Sequence, residues 1–322
     1  MRRPHYLGAA VLVALTLSLT LFAQAQQAGT PDQDNTAHGI ALFQQGKTGE
    51  AIEVLTKVTK AHADDADAWY YLGLAQYSEE WFAGARSSFE KSIDLRPQLA
   101  DAHAKLAYTL ILANELTKAL ATARRALELG DQSVEAHYAI AEASRRKAES
   151  VNALEEAAIA LKIKPDFLPA LITKSFAHYS LKQFSESAES LERFLALSPD
   201  DPDARTWRDQ LDELRSRASQ QPGQLEPAFN GREVTEKVRV LSKPEAGYTE
   251  RARKAGVTGT VVLRSVFSAE GEVKHIVVLT PLGFGLTTKA ISAARAIKFT
   301  PAIKDGRPVS QYMQLEYTFN LY

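Results

Sequence analysis

The 322-residue sequence contains no cysteine and only two methionines. Without cysteine the chain can form no disulfide bond, thiolate metal site or cysteine nucleophile. It also lacks a glycine-rich phosphate loop and a nucleophile elbow. Its seven histidines do not combine with carboxylates in a metal-ligand spacing. The sequence therefore predicts a protein that is not an enzyme and that needs neither a metal ion nor a cofactor.

The chain also lacks an overall excess of positive or negative charge, since its formal net charge is −1. The two signs are nevertheless unevenly distributed. Residues 32–219 hold 22 Lys and Arg against 30 Asp and Glu, whereas residues 231–322 hold 14 against 8. The basic C-terminal part favours acidic partners such as a receptor segment or anionic lipid, although scattered basic residues also form ordinary solvated faces.

The N-terminus has the pattern of a targeting segment. Two arginines precede an apolar run from Leu7 to Phe22, and the small residues Ala23 and Ala25 then suit signal peptidase. We expect residues 1–25 to be a signal peptide that is cleaved before Gln26. The alternative is an uncleaved anchor, although about 17 residues span only about 25 Å as a helix. Either outcome places most of the protein outside the cytoplasm, where no nucleic-acid partner is expected.

The region from residue 32 to residue 201 repeats every 34 residues without insertion, which is the period of tetratricopeptide repeats. The second copy resembles this family most closely, through Trp69, Leu72, Gly73, Ala85, Phe89 and Pro97. We place five copies, which start at Asp32, Ala66, Ala100, Val134 and Leu168. Each copy predicts two amphipathic helices that bury their apolar faces only by stacking on their neighbours. Residues 202–218 predict a capping helix, so residues 32–219 form a helical solenoid, here called the array.

The resemblance implies that the first helix of each copy lines a concave groove. The residues at these positions, here called the repeat groove, are Tyr70, Leu74, Tyr77, Tyr108, Ile111, Tyr138, Arg145, Arg146, Phe176 and Tyr179. Tyrosines suit peptide binding because they combine a large contact area with a polar tip, and the arginine pair could meet a carboxylate. The same tyrosines could instead pack between neighbouring helices.

Residues 220–230 form a short polar linker, and residues 231–322 form a second domain, here called the module. Two β-branched runs at 257–267 and 273–279 flank a glycine-containing turn and predict a hairpin. Residues 286–297 have helical spacing, and apolar residues alternate with polar residues from 312 to 321. The whole chain is therefore predicted to be an α+β multidomain protein, an all-α solenoid followed by a small β-β-α-β domain.

The module resembles the C-terminal domain of TonB. The matching residues are Pro244, Tyr248, Ala252, Gly256, Gly259-Thr-Val261, Gly271-Glu-Val273, Phe299-Thr-Pro301 and Gly306-Arg-Pro-Val309. In that family the domain pairs its sheet with a short strand of an outer-membrane receptor. The resemblance implies a peptide-binding edge strand made of Ser310, Gln311, Tyr312, Met313, Gln314, Leu315, Glu316, Tyr317, Thr318 and Phe319. One departure is that the family's Leu-Asp-x-Ala-Ala motif is Leu286-Thr-Thr-Lys-Ala290 here.

These features predict a periplasmic TonB-like adaptor of the cell envelope, linked to transmembrane transport. Its last strand would bind a peptide of an outer-membrane receptor or another envelope protein by strand addition, and its array would bind a second protein. The alternative is a structural scaffold in which the array binds proteins and the module self-associates as a homodimer. An uncleaved N-terminus would anchor either protein in the inner membrane.

Overall fold

The computed structural model describes residues 35–130, 132–219 and 228–321. The predicted signal segment, with Ala23, Ala25 and Gln26, lies outside the described residues, as does most of the predicted linker. Within the described ranges, no helix combines the length and the apolar character that a membrane span requires.

The array consists of five helix pairs and a final helix. Four of the pairs begin at the predicted repeat starts, 34 residues apart, because the apolar positions recur with that period. The helices are α1 (Thr36–Gln44), α2 (Thr48–Ala61), α3 (Ala66–Ser78), α4 (Phe82–Leu95), α5 (Ala100–Leu112), α6 (Leu116–Glu128), α7 (Val134–Arg146), α8 (Ser150–Ile163), α9 (Leu168–Ser180), α10 (Phe184–Leu197) and α11 (Ala204–Ser219). The predicted solenoid is confirmed.

Small residues allow the helices of the array to approach closely. An added Cβ at Gly73 would lie 2.7 Å from the ring of Phe89, so only glycine fits between α3 and α4 at this point. Ala85 and Ala119 occupy equivalent positions one repeat apart, and both are completely buried. Stacking of neighbours thus builds the core that a single helix pair lacks.

The module contains a three-stranded antiparallel sheet with the order β3-β2-β7 and a helix. The predicted β-β-α-β order is present as β2, β3, α13 and β7, and short elements surround it. The elements are β1 (Arg239–Ser242), α12 (Glu250–Lys254), β2 (Gly259–Phe267), β3 (Val273–Thr280), α13 (Leu286–Arg295), β4 (Lys298–Thr300), β5 (Ala302–Lys304), β6 (Arg307–Val309) and β7 (Gln311–Phe319).

The five short elements were not predicted. The strands β1, β4, β5 and β6 contain only three or four residues each, and α12 contains five. A period of 2.0 or 3.6 residues cannot be recognised over so few positions. The strand β1 pairs with β4, and β5 pairs with β6.

The module packs directly against the array, and one continuous apolar cluster extends through both. From the array it includes Phe82, Tyr138 and Trp207, and from the module Val257 and Leu282. The backbone N–H of Thr258 also donates to the carbonyl oxygen of Leu112 at 3.0 Å. The two parts therefore share a core across the predicted domain boundary.

The array supplies the cap of the helix in the module. Gly285, which precedes α13, has no side chain to accept the free N–H groups of the first turn. The Asp203 carboxylate, from the turn before α11, accepts from the backbone N–H groups of Gly285 at 3.2 Å and Thr288 at 2.9 Å. The array therefore provides the carboxylate that caps this helix of the module.

We expect Asp203→Ala to lower the free energy of unfolding by about 2 kcal/mol, because it leaves buried N–H donors of α13 without an acceptor. The Asp203 side chain is almost fully buried, with 1% exposure. Asp209→Ala is the matched control, because Asp209 also faces the module but forms only an exposed ion pair with Arg295. The Asp209→Ala variant should lower the free energy of unfolding by less than about 1 kcal/mol. Urea denaturation measures both; equal losses would contradict the capping role.

Candidate functional site: the edge of β7 and the repeat groove

The strand β7 is an edge of the sheet, since β2 is its only strand partner among the described residues. Its side chains alternate as predicted: those of Leu315, Tyr317 and Phe319 are buried, whereas those of Gln314, Glu316 and Thr318 are exposed. Ser310 precedes the strand and its hydroxyl oxygen accepts from the backbone N–H of Ala269 in the hairpin turn.

The even-numbered residues of β7 direct their backbone groups away from β2. The backbone N–H of Tyr312 donates to Phe229, and the carbonyl oxygen of Glu316 accepts from the Lys243 ammonium group at 2.7 Å. In an antiparallel ladder the direction alternates along the strand, so the N–H and C=O groups of Gln314 and Thr318 also point outward. No described strand pairs with this part of the edge.

A shallow cavity of about 410 Å³ lies beside the C-terminal half of β7. The segment 243–248 forms its far wall, and residues 316–320 form the near wall. The Lys243 ammonium group lies 4.6 Å from the centre of the Tyr317 ring, where a cation–π contact holds it near the strand. An incoming strand would have to displace this one side chain from the carbonyl oxygen of Glu316.

The opposite edge of the sheet, formed by β3, is partly closed by the array. The side-chain oxygen of Gln210, on α11, accepts from the backbone N–H of Val278 at 3.0 Å. Farther along, β3 has a bulge at which His275 adopts a left-handed conformation with φ of 48°. Coverage and bulges are two ways in which proteins prevent unwanted strand pairing. The strand β7, by contrast, pairs with β2 in one continuous register without a bulge.

All ten residues of the predicted repeat groove are partly or fully buried. The tyrosines contact one another between neighbouring helices: the ring centres are 5.4 Å apart for Tyr77 and Tyr108 and 5.5 Å apart for Tyr108 and Tyr138. Tyr108 and Tyr138 also line a cavity of about 330 Å³ that the module closes with Val257, Leu282 and Phe284. Of the other groove residues, Ile111 and Phe176 belong to the shared core, and Tyr70 and Leu74 pack against it.

The two predicted sites meet at one end. Tyr179 of the groove lines a small cavity together with Tyr312, Met313 and Gln314 of β7. The Arg264 guanidinium group, from β2, stacks 4.5 Å from the ring centre of Tyr312 at the same place. The beginning of the edge strand is thus held against the last repeat.

The arginine pair of the groove binds a carboxylate of its own helix. Glu142 accepts from Arg145 at 2.7 and 2.8 Å, from Arg146 at 2.7 Å and from the Thr173 hydroxyl at 2.7 Å. Burial by itself raises the pKa of Glu142, but the two guanidinium groups outweigh it and hold this pKa well below 4.5. Much of the hydrogen-bonding capacity of Arg145 and Arg146 is therefore already used.

The roles of Glu142, Asp203 and Gln210 and the ion pair of Glu80 with Arg251 were not predicted from the sequence. Glu142 could have been found, because it precedes the two arginines by three and four residues, the spacing of neighbours on a helix. The other groups have partners more than 60 residues away, so no local pattern indicates them. Within the described ranges, no group of three acidic or histidine side chains is arranged to hold a metal ion.

Glu142→Gln should lower the free energy of unfolding by about 3 kcal/mol at pH 7, because it leaves two arginines poorly paired in a buried place. The pKa of Glu142 is lowered in the folded state, so the ionised carboxylate stabilises the fold at pH values above 4.5. This contribution to stability falls as the pH drops below 4.5. The difference between the two proteins should therefore shrink in acid. The exposed Glu149→Gln is the control; thermal melts from pH 3 to pH 7 that differ by a constant amount would contradict the assignment.

Family models match both parts of the chain. A model of the C-terminal domain of the Gram-negative bacterial TonB protein matches residues 244–321. A tetratricopeptide-repeat model matches residues 36–100 and 78–134. No curated protein matches the sequence.

Solved structures with a similar fold are tetratricopeptide-type repeat proteins and correspond to about half of the chain. The MamA protein is 22% identical, covers 52% of this chain and 90% of its own, and has a TM-score of 0.41. YrrB, described as having an unusual peptide-binding site, is 18% identical, with 58% and 97% coverage and a TM-score of 0.43. A thermophilic repeat protein of Thermus thermophilus is 17% identical, with 56% and 95% coverage and a TM-score of 0.40.

The matched families agree with the two folds described above. Tetratricopeptide repeats indicate interaction with proteins, and the TonB domain indicates association with the cell envelope of Gram-negative bacteria. The chain is therefore a tetratricopeptide-repeat array joined to a TonB C-terminal domain.

Proposed function

We propose that the protein is a non-enzymatic adaptor of the periplasm, linked to TonB-type transport. In this proposal, β7 binds an extended peptide of an outer-membrane receptor or another envelope protein by strand addition. The array binds a second protein partner through its repeats. The observation that carries the proposal is the open edge of β7 in a domain of the TonB family.

Backbone hydrogen bonds would supply the affinity of this site. The N–H and C=O groups of Gln314 and Thr318 point outward, and a peptide strand alongside β7 would satisfy them in the alternating pattern of a sheet. The cavity lined by segment 243–248 would accept alternate side chains of the peptide, which would add selectivity.

The contacts between the two domains would fix the direction in which the edge is presented. The Gln210 side chain holds β3, the edge of the sheet opposite β7, while Asp203 caps α13 and Glu80 binds Arg251 of α12. A peptide on β7 would thereby be kept at a defined orientation relative to the repeats while the module is docked. This arrangement suits an adaptor that joins two proteins.

Gln314→Pro tests the edge, because it removes one outward N–H group without removing a hydrogen bond to β2. We expect at least a tenfold loss of affinity for peptides that pair with the edge. Gln314→Ala, which keeps the N–H group, should bind as the parent does. The probes are fluorescein-labelled heptapeptides from the N-terminal segments of outer-membrane receptors of a Gram-negative bacterium, measured by fluorescence anisotropy.

Circular dichroism must show that the proline variant is folded. Met313→Pro is the complementary variant, because the N–H of Met313 faces β2, and we expect it to disrupt the sheet. A folded Gln314→Pro protein with unchanged peptide affinity would contradict strand addition. If no peptide binds but the protein sediments as a dimer that Gln314→Pro dissociates, the edge serves self-association and the protein is a scaffold.

A further inference from the structure

The loop before α13 inserts an aromatic side chain between the two domains. Phe284 has a φ of 62°, a left-handed conformation that is unusual for a residue with a Cβ atom. Its ring centre lies 6.3 Å from that of Phe82 in an edge-to-face arrangement, and the Arg251 guanidinium group lies 5.1 Å from its ring centre. The module therefore presents an aromatic side chain of this loop together with a cation of α12 to the array.

The array meets this cation with a carboxylate. Glu80 accepts from Arg251 at 2.9 and 2.6 Å in a two-point contact. Hydrogen bonding to Arg251 lowers the pKa of Glu80, as expected for a carboxylate that is ionised in this contact. Glu80 lies in the turn between α3 and α4 with a φ of 56°, where the first repeat has Gly46 with a φ of 75°. The turn thus has a charged residue at a position that favours glycine.

The module occupies the space that a ligand of the repeat groove would need. Val257, Leu282 and Phe284 close the cavity over Tyr108 and Tyr138. The remaining volume of about 330 Å³ is at the lower end of small-ligand pockets. An extended peptide therefore does not fit over these tyrosines while the module is docked.

Charge also favours the docked arrangement. Residues 32–219 have an excess of acidic side chains, and residues 231–322 have an excess of basic ones. Glu142 already neutralises part of the charge of Arg145 and Arg146, so the arginine pair does not make this part of the groove strongly basic. Glu80 and Asp209 each bind an arginine of the module. The face of the array that contacts the module thus favours a ligand with a cation beside an apolar group.

We infer that the docked module is a plug that closes the repeat groove. The protein partner of the groove would be a segment that presents an aromatic side chain next to an arginine, as Phe284 and Arg251 do, and it would displace the module. This inference goes beyond the proposed function, because it makes occupation of the groove and docking of the module mutually exclusive. A partner in the groove would release β7 from its fixed orientation while leaving it paired with β2.

Charge reversal at the interface tests the plug. Arg251→Glu should shift part of the protein to the undocked state, because it sets two carboxylates against each other at this contact, and the double variant Glu80→Arg with Arg251→Glu should restore docking. Arg253→Glu is the matched control, because Arg253 lies on the same short helix but its ion pair is with Glu250 of the module. Since the chain has no cysteine, spin labels at Ser87→Cys and Ser292→Cys report the distance between the domains without competing thiols.

The binding probe is the fluorescein-labelled peptide Pro-Leu-Arg-Phe-Gly-Leu, with a counterpart in which alanine replaces phenylalanine. We expect the first peptide to bind the Arg251→Glu protein at least tenfold more tightly than the parent, the control and the double variant. The counterpart should bind none of them well. Phe284→Ala is a second opening variant if Arg251→Glu does not fold, as judged by circular dichroism.

Two results would overturn the inference. One is a folded opening variant whose label distances equal those of the parent. The other is separated domains that bind the peptide no better than the parent does. Binding of receptor heptapeptides to β7 is measured in the same proteins. If that binding persists while either result holds, only the plug is disproved and the adaptor proposal stands.

Discussion

Backbone polar groups at the ends of helices and at the edges of sheets must find partners, and this constraint governs how the module is built. The helix α13 begins without a capping side chain of its own, and β3 has an outward N–H group at Val278. The array supplies both missing acceptors, through Asp203 and Gln210. The edge of β7 is bridged to Phe229 at its start and receives no strand from the described residues between Gln314 and Thr318, which makes that part the candidate binding site.

The array consequently serves the module as a structural support. Besides the polar contacts of Asp203 and Gln210, an apolar cluster continues from one domain into the other. Opposite charge excess on the two parts favours the same contact, although exposed pairs such as Arg295 with Asp209 contribute little each. The cavity over Tyr108 and Tyr138 and the placement of β7 are therefore physically connected, since both depend on the same interface.

Much of the fold could be predicted from the sequence, because repetition reveals what a single segment does not. The 34-residue period located the helix starts at Ala66, Ala100, Val134 and Leu168, and alternation located β7. The role of the groove tyrosines was harder to predict, because the sequence does not show whether a tyrosine faces a ligand or a neighbouring helix. Tyr108 and Tyr138 do contact neighbouring rings, and they also line the cavity that the module closes.

The sequence by itself determined the local elements: the helix pairs, the hairpin of β2 and β3, and the strand β7, since each follows from a period of side chains along a short segment. Only the tertiary structure decided which groups remain free. The acceptor of the α13 backbone lies 82 residues away along the chain, and the carboxylate that binds Arg251 lies 171 residues away. Periodicity encodes which face is apolar but not what covers it, so the cover over Tyr108 and Tyr138 and the cap of α13 both depended on how the two domains pack.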